Sequence, residues 1–499
     1  MKLFTASQIK RWDSFTIKCE PISSLHLMDR AALSFTDWFC SDPTHFNRPI
    51  TIICGNGNNG GDGLAIAMLL RYKFFTVNVL VKRIAQEDSP DFAQNLKSLV
   101  RLGDVNIQFI EDEMLTIQPN SIIIDALLGV GLNRPLGKEL GDIIEKINLS
   151  EHEKIISVDL PSGLPAEGIG QGYIIKADEV FTFQVPKLSF FNKENTLFIE
   201  RFVVGDIGLH EEFLAIEPSP FTYVDKVFIQ SLYKKRSDFQ HKGDFGHALI
   251  VAGQKGSLGA AVLSCKAALK VGAGLVTAAV PDIGLDVLQI SLPEAMVISS
   301  GDINFTKELV FGENKFTIGC GPGLGQEANT TTALRNLLTT QQKPLVLDAD
   351  ALNIISKDKT LWDIIPRSSI LTPHPKEFSR LFGLSNNSQE MFDIQKEMAI
   401  RYQVIFVLKG AFTRVCTPNG DVYINSTGNS GMATGGSGDV LTGMITGLLA
   451  QQYLPHEAAV FGVYLHGLAG DLALIKQSKE SLIASDIIDY IGAAYKSFD

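Results

Sequence analysis

Short apolar runs of strand length recur along the chain and alternate with longer stretches of helix-like pattern. Inside each run the apolar residues are continuous rather than alternating with polar ones, which is typical of strands buried on both faces. In the first half of the chain these runs lie at 50–54, 76–81, 106–110, 121–129, 155–163 and 179–183. Strands that alternate with helices predict an α/β fold with a mainly parallel sheet.

The pattern stops near the middle of the chain and then starts again. Pro218 and Pro220 interrupt the stretch 214–227, which we interpret as a domain boundary. A second set of runs follows, at 247–253, 275–281, 316–323, 344–352, 369–375, 404–410 and 414–425. With 499 residues, 45% of them hydrophobic, the chain is long enough for two cores. We therefore predict two α/β domains, at 1–216 and 224–499.

Charge and hydropathy exclude several classes of protein. The net charge of -11 argues against a general binder of nucleic acid or anionic membranes, although it leaves room for a local basic pocket. No apolar run approaches the roughly 18 to 20 residues of a membrane span, and the first residues lack the apolar core of a signal peptide. The six cysteines form no C-x-x-C pair and are interpreted as reduced thiols. We expect a cytoplasmic protein without nucleic-acid or membrane partners. We also expect a homo-oligomer whose subunit number the sequence does not give.

A glycine-rich loop, "GNGNNGGDG" at 55–63, follows the first apolar run and satisfies the dinucleotide fingerprint G-x-G-x-x-G. A nicotinamide-binding fold would place an acidic residue at the end of the second strand. This chain has Lys82 and Arg83 there, which suit either a 2′-phosphate or a surface position. Asn58, Asn59 and Asp62 add oxygens that suit a cation or a polar ligand. An ordinary strand-to-helix turn remains the alternative.

Two further strands of the first domain end in polar side chains. Asp125 ends one apolar run, and Asp159 and Ser162 end the next. Ligands of open α/β sheets bind at the carboxyl ends of the strands. Asn59, Asp125 and Ser162 are therefore candidates to converge on one ligand.

In the second domain the stretch "NSGMATGGSGDVLTG" at 429–443 joins a glycine-rich loop to a helical pattern. The backbone amides of 435–438 predict an anion site at the start of a helix. Asp439 follows, either as a base or as the helix N-cap. Other predicted strand ends supply Lys409 and the pairs Asp348 with Asp350 and His374 with Glu377.

Together these motifs resemble the family of bifunctional NAD(P)H-hydrate repair enzymes. The stretches "GNGNNGGDG", "DALLGVGLNRPL", "VDLPSG" and "PKLSF" are similar to its epimerase half. The stretches "HKGDFGHALIVAG", "GCGPGLG" and "TPHPKEFSRL" are similar to its dehydratase half, which itself resembles ribokinase-like kinases. The resemblance implies a Rossmann-like three-layer domain followed by a ribokinase-like α/β domain. It also implies the substrates NADHX and NADPHX, the epimeric hydrates of the reduced cofactors.

For the epimerase half the resemblance implies a potassium ion bound by Asn59, Asp125 and Ser162. It also implies that Asp159 lies at the reacting part of the substrate. Lys187 of "PKLSF" is a candidate acid/base partner of Asp159, and an exposed structural lysine is the alternative. The residues implied to bind the hydrate in this half are Asn58, Asn59, Gly60, Gly61, Asp62, Gly129, Val130, Gly131, Leu132, Asn133, Arg134, Pro135 and Asp159.

For the dehydratase half the resemblance implies Asp439 as the catalytic base and magnesium accompanying ADP. Hydrate contacts fall on Ala261, Gly323, His374 and Asp439. The residues implied to bind the nucleotide are Lys409, Gly410, Ala411, Phe412, Thr413, Asn429, Ser430, Gly431, Met432, Ala433, Thr434, Gly435, Gly436, Ser437 and Gly438. An anion site recognises phosphate whatever its number, so the residues alone leave ADP and ATP open.

Three alternative functions remain at this stage. One is a ribokinase-like small-molecule kinase with an N-terminal dinucleotide-binding module. A second is an NAD-dependent dehydrogenase, against which the missing acidic residue at the second strand counts. The third treats the first domain as a non-catalytic ligand-binding module, against which Asp159 beside Ser162 counts.

Overall fold

A computed structural model of the chain describes residues 1–110, 115–132, 134–309, 311 and 316–498. The chain divides into two compact units. One comprises Lys2–Ser219, and the other comprises Pro220–Asp499 together with Met1. Each unit is built around its own sheet.

The described part of the first unit contains a seven-stranded sheet in which every neighbouring pair of strands is parallel. Its strand order is β3-β2-β1-β4-β5-β6-β7. The strands are β1 (Ile50–Cys54), β2 (Val77–Val81), β3 (Asn106–Phe109), β4 (Ser121–Ala126), β5 (His152–Val158), β6 (Ala177–Phe183) and β7 (Ile199–Gly205).

Helices cover both faces of this sheet. They are α1 (Ala6–Cys19), α2 (Ser24–Ser41), α3 (Asn58–Tyr72), α4 (Pro90–Leu102), α5 (Lys138–Asn148) and α6 (Glu212–Ile216). In β1, Ile50 and Ile52 pack into a core with α2, α3 and α4, whereas Ile53 packs into a second core with α5. Successive side chains of a strand point to opposite faces, so an apolar run buried on both sides produces three layers.

The described part of the second unit contains a ten-stranded sheet in the order β11-β10-β9-β12-β13-β14-β15-β16-β17-β8. The pairings are parallel except for β15 with β16 and β16 with β17. The strands are β8 (Phe221–Val224), β9 (His247–Val251), β10 (Leu275–Val280), β11 (Met296–Ser299), β12 (Thr317–Cys320), β13 (Val346–Leu347), β14 (Ile370–Leu371), β15 (Ile405–Leu408), β16 (Arg414–Cys416) and β17 (Val422–Asn425).

The helices of this unit are α7 (Lys226–Leu232), α8 (Leu258–Lys270), α9 (Leu285–Ser291), α10 (Ala328–Thr340), α11 (Ala349–Lys357), α12 (Pro375–Phe382), α13 (Ser388–Tyr402), α14 (Ser437–Ala450), α15 (Pro455–Ala473) and α16 (Ala484–Lys496). The largest described core joins strand residues such as Val346 and Val407 to α14, α15 and α16. Among the described residues, no helix combines the length and apolar character needed to span a membrane.

The predicted α/β class with mainly parallel sheets is confirmed in both units. Every apolar run named from the sequence overlaps a strand, and 414–425 contains two. Three strands were missed: β7, β8 and β11. All three lie at sheet edges.

The glycine-rich loop depends on a close backbone contact. A Cβ on Gly60 would lie 1.8 Å from the carbonyl oxygen of Gly55, so no larger residue fits without moving the backbone. We expect Gly60→Ala to destabilise the first unit by about 1–3 kcal/mol, measured by native-state hydrogen exchange. Gly57→Ala is the matched control, since no described atom lies within 4 Å of its Cβ position and its φ of -93° is ordinary. Equal stability of the two variants would contradict the packing argument.

Candidate active sites

The first site lies where the strand order of the first sheet reverses, between β1 and β4. Ligands of doubly wound sheets bind in the crevice outside the carboxyl ends of such strands. The glycine-rich loop leaves β1 there, and Leu127–Leu132 leave β4. A cavity of about 720 Å³ opens between these loops, α1 and the chain that follows β5 and β6. Its volume falls in the range typical of pockets for small molecules and cofactors.

Most residues predicted to bind the hydrate in this half line the cavity. They are Asn58, Asn59, Asp62, Gly129, Val130, Gly131, Leu132 and Asp159, and Lys187 joins them. Gly60 and Gly61 are instead buried, and their role is to let the loop pack closely. Arg134 and Pro135 are exposed and are not among the described lining residues. Asn133 lies outside the described residues.

The three predicted cation ligands are brought together beneath this cavity. The hydroxyl of Ser162 donates to Asp125 Oδ1 at 2.5 Å, and the Ser162 amide donates to Asp125 Oδ2 at 2.9 Å. Asn59 is linked to this pair through the backbone of Leu128. The Leu128 amide donates to Ser162 Oγ at 2.8 Å, and the Leu128 carbonyl accepts from Asn59 Nδ2 at 3.0 Å. Carboxylate, hydroxyl, amide and carbonyl oxygens therefore lie within one small cluster.

The charge of Asp125 fits a bound monovalent cation. Its side chain is buried, burial raises its pKa, and its described hydrogen-bond partners are all neutral. A buried carboxylate without a counter-charge is costly, and a cation held by the neighbouring oxygens would offset that cost. Asn59, Asp125 and Ser162 thus form a chemically suitable donor set for a hard cation.

Asp159 and Lys187 form a buried ion pair at the edge of the cavity. Lys187 Nζ donates to Asp159 Oδ1 at 2.6 Å and to Thr182 Oγ1 at 3.0 Å, and it lies within 3.3 Å of the carbonyl oxygens of Phe183 and Val185. The amide of Phe183 also donates to Asp159 Oδ1, at 3.0 Å. Lys187 is 1% exposed, so the alternative of a surface lysine is wrong.

Sequence reasoning missed Asn56, the first asparagine of the glycine-rich loop. Its side chain is buried, donates to the carbonyl of Ala85 and accepts from the amides of Ile84 and Ala85, each at 2.9 Å. It therefore fixes the loop after β2, whose Ile84 and Ala85 line the cavity. The G-x-G spacing identifies the glycines of the loop, whereas the side chain of Asn56 positions the neighbouring loop after β2.

The two basic residues after β2 differ in exposure: Lys82 is buried, whereas Arg83 is exposed. Lys82 is buried, with its Nζ 2.9 Å from Glu139 Oε1. Arg83 pairs with Asp88 at 3.3 Å and lies over the ring of Phe109. The interpretation as a surface pair is therefore wrong for Lys82.

The second site occupies the corresponding edge of the second sheet. The order of its strands reverses between β9 and β12, and β13, β14 and β15 end at the same edge. Asp348 directly follows β13, Lys409 directly follows β15, and His374 lies three residues after the end of β14. Asp439 comes to this edge in the first turn of α14. The helix begins after an N-cap at Gly436, so the interpretation of Asp439 as the N-cap is wrong.

Lys409 is aimed at the start of α14. Its Nζ lies 3.3 Å from the position that a Cβ on Gly438 would take. Asp348 Oδ1 accepts from Lys409 Nζ at 2.9 Å, and Thr442 of α14 donates to Asp348 Oδ2 at 2.6 Å. An ammonium group and the uncapped amides of a helix N-terminus together favour an anion. Asp348, whose role the sequence left open, holds this lysine in place.

The carboxyl group of Asp439 stands beside this pair. Its pKa is raised to about 6, mainly by burial and then by the charge of Asp348, while Lys409 opposes both effects. A carboxylate whose pKa approaches neutrality is a stronger base than an ordinary aspartate. The arrangement therefore suits removal of a proton from a hydroxyl that faces the anion site.

His374 caps α12 through its ring. Its Nδ1 accepts from the amides of Lys376 at 3.1 Å and Glu377 at 3.2 Å. Burial and then Lys409 lower its pKa. The ring is therefore neutral with its proton on Nε2, which can donate to a ligand.

Of the other predicted contacts, Gly323 has a φ of +58° and its carbonyl accepts from Ser257. Ala261 is fully buried, so its side chain does not reach the surface of the site. The Asn429 side chain accepts from the Gly431 amide and donates to Asp471, so it shapes its loop. Exposed or partly exposed nucleotide candidates are Lys409, Gly410, Ala411, Phe412, Asn429, Ser430, Met432, Ala433, Thr434, Gly435, Gly436 and Gly438, whereas Thr413, Gly431 and Ser437 are buried.

Comparisons with known proteins match both units. A family model described as YjeF-related protein N-terminus matches residues 24–189, and one described as NAD(P)H-hydrate dehydratase matches residues 248–492. The bifunctional NAD(P)H-hydrate repair enzyme Nnr of Moorella thermoacetica is 35% identical, with 98% of this chain and 96% of that protein covered. The enzyme of the same name from Escherichia coli is 33% identical, with 87% and 83% covered.

Among solved structures, the ADP/ATP-dependent NAD(P)H-hydrate dehydratase from Bacillus subtilis, co-crystallised with ATP and Mg²⁺, is 31% identical. It covers 55% of this chain and 98% of its own, with a TM-score of 0.48.

The titration of Asp439 tests the electrostatics of the second site. The pKa of Asp439 is raised to about 6, mainly by burial and then by the charge of Asp348, so we expect Asp348→Asn to move the titration midpoint to lower pH. Carboxyl chemical shifts in protein labelled at aspartate measure that midpoint. Thr442→Val is the matched control, because it removes a hydrogen bond to Asp348 and keeps every charge. A midpoint that stays fixed or rises in Asp348→Asn would show that another group sets it.

Proposed function

Because the chain belongs to the family of bifunctional NAD(P)H-hydrate repair enzymes, we propose that it restores hydrated NADH and NADPH. In this proposal the first domain, 1–216, interconverts the R and S hydrates. The second domain, 224–499, removes water from the S hydrate with ADP. The observation that carries the proposal is that each sheet ends in its own site, with Asp159 in one and Asp439 in the other.

The epimerase chemistry acts on a carbon that bears both a hydroxyl group and the ring nitrogen. Water adds to the reduced ring next to the nitrogen, because protonation of the neighbouring enamine carbon turns this carbon into the electrophilic end of an iminium ion. Removal of the hydroxyl proton lets this carbon form a carbonyl and release the nitrogen, which exposes both faces to re-closure. Asp159, oriented by Lys187, is our candidate base for that proton, and Lys187 stabilises its charge.

We further propose that Asn59, Asp125 and Ser162 hold a potassium ion. When bound, the ion supplies a fixed positive charge beside the hydrate pocket. The residues themselves contribute by shaping the loop after β4: Ser162 accepts from the Leu128 amide and Asn59 donates to its carbonyl. Gly129, Val130 and the residues after them would thereby be held against the hydrate.

The dehydratase chemistry must make a poor leaving group depart. In the proposal Asp439 takes the proton of the ring hydroxyl while the hydroxyl oxygen attacks the terminal phosphate of ADP, and AMP is released. Lys409 and the amides of Gly435, Gly436 and Gly438 stabilise charge on the transferring phosphoryl group. The ring nitrogen then expels phosphate, and the neighbouring carbon loses a proton as the double bond re-forms. Magnesium would add positive charge at the phosphates.

The two activities require each other. Uncatalysed hydration produces both epimers, while a chiral pocket that dehydrates one of them leaves the other behind.

NADH and NADPH are intracellular cofactors, and all six cysteines are free thiols, which supports a cytoplasmic protein. A homo-oligomer remains part of the proposal.

A cofactor-recovery assay tests the function. Purified protein is mixed with R and S hydrate, with ADP, with ATP and without nucleotide, and the absorbance of reduced nicotinamide is followed. We expect full recovery with ADP for the wild type. Asp159→Ala should recover only the S fraction. Asp439→Asn should slow recovery on the order of 10²- to 10⁴-fold while the epimers still interconvert.

The outcomes of this assay separate the alternatives. No recovery with either nucleotide, together with a stable phosphorylated product made from ATP and another small molecule, would favour the ribokinase-like kinase. Recovery of only the S fraction by the wild type would make the first domain a binding module. Asp37→Asn, an exposed change on α2, serves as the control.

The potassium proposal predicts a specific ion effect. Ligands that bind only the folded state raise its stability, so KCl should raise the Tm of the first unit above the value in tetramethylammonium chloride at equal ionic strength. Asp125→Asn should abolish the difference, and Asp37→Asn should keep it. Equal Tm values in the two salts for the wild type would contradict a potassium site.

A further inference from the structure

One carboxyl group in the first cavity has no assigned role. Asp13 lies on α1, on the helix face whose Ile9, Lys10 and Ile17 also line the cavity. Within the described chain its side chain has no hydrogen-bond or ion-pair partner. Its position is nevertheless fixed, because the adjacent Trp12 is buried and donates from Nε1 to the carbonyl of His210 at 2.9 Å.

The proposed ring opening needs a proton donor as well as a base. When the carbon releases the ring nitrogen, that nitrogen must gain a proton, and it must lose the proton again on re-closure. Lys187 does not suit this task, because its ammonium group is buried and already contacts Asp159, Thr182 and two carbonyl oxygens. The donor must be another group that faces the same cavity.

Resting on the proposed epimerase function, we propose that Asp13 is a second catalytic residue, the acid that protonates the ring nitrogen while Asp159 takes the hydroxyl proton. The oxygen electrons form the carbonyl, the carbon–nitrogen bond electrons pass to nitrogen, and Asp13 supplies its proton. Rotation about the adjacent carbon–carbon bond presents the other face. Nitrogen then attacks it, returns its proton to Asp13, and the oxygen takes the proton back from Asp159. No atom is gained or lost.

The electrostatics of the cavity suit this exchange. The pKa of Asp13 is raised to about 6, mainly by burial and then by the charge of Asp159, while Lys187 opposes both effects. Once Asp159 has taken the hydroxyl proton its charge is gone, so Asp13 becomes more acidic when it must release its own proton. The pKa of Asp62 is raised well above its ordinary value, mainly by burial, so Asp62 stays protonated and is less suited to a reversible exchange. The charged or titratable groups that share this cavity with Asp13 are Lys10, Asp62, Asp91, Asp159 and Lys187.

The test uses the full chain, pure R hydrate and no nucleotide, with formation of the S hydrate followed by chromatography. Because Asp13 acts in its protonated form, kcat/KM of the wild type should be high below about pH 6 and fall as pH rises through that value. Asp13→Asn should lower kcat on the order of 10²- to 10⁴-fold with little change in KM. In this variant the fall of kcat/KM with rising pH should disappear. Asp13→Glu should restore part of the rate and the fall of kcat/KM with rising pH. Asp37→Asn is the matched carboxylate control on α2.

Dehydration of pure S hydrate by the same variants reports the second domain, and thermal unfolding reports folding of the first. A folded Asp13→Asn protein with the wild-type kcat, with the wild-type pH dependence of kcat/KM, or with a defect confined to KM would overturn the role of Asp13. A wild type that fails to interconvert the epimers would instead overturn the proposed epimerase function, so the two failures are distinguishable.

Discussion

The parallel pairing of strands is the constraint on which both sites depend. It brings the carboxyl ends of neighbouring strands to one edge, and the reversal of strand order, between β1 and β4 or between β9 and β12, opens a crevice there. Asp125 is the second-to-last residue of β4 and Asp159 follows β5, while Asp348 and Lys409 follow β13 and β15. Residues far apart in sequence therefore meet without any long loop having to fold back.

Each site combines the same two electrostatic elements. One is an aspartate–lysine ion pair, Asp159 with Lys187 in the first unit and Asp348 with Lys409 in the second. The other is an aspartate beside the pair, Asp13 or Asp439, whose pKa is raised to about 6. In each unit the pKa of this second carboxyl group lies close enough to neutrality for the group to exchange its proton.

The sequence revealed the sheets and the loops more fully than the contacts between side chains. The run at 50–54 coincides with β1, because a continuous apolar run has one stable location, the middle of a covered sheet. Edge strand β7 was missed, since Glu200 and Arg201 interrupt its apolar pattern. Asp13 belongs to no glycine-rich motif, and its importance arises only from the packing of α1 beside the cavity. Likewise, nothing in the sequence states that Asp348 holds Lys409.

Carboxyl groups with raised pKa values lower the stability of the fold near neutral pH, and this loss argues for a functional role. A carboxyl group that binds its proton more tightly in the folded state stabilises the fold below its unfolded pKa and loses that stabilisation as pH rises through the folded value. For Asp13 and Asp439, with pKa values of about 6, the stabilisation is lost before neutrality. Asparagine in either position would remove this penalty. A chain that keeps ionisable groups where they weaken the fold is best explained by chemistry that needs their protons.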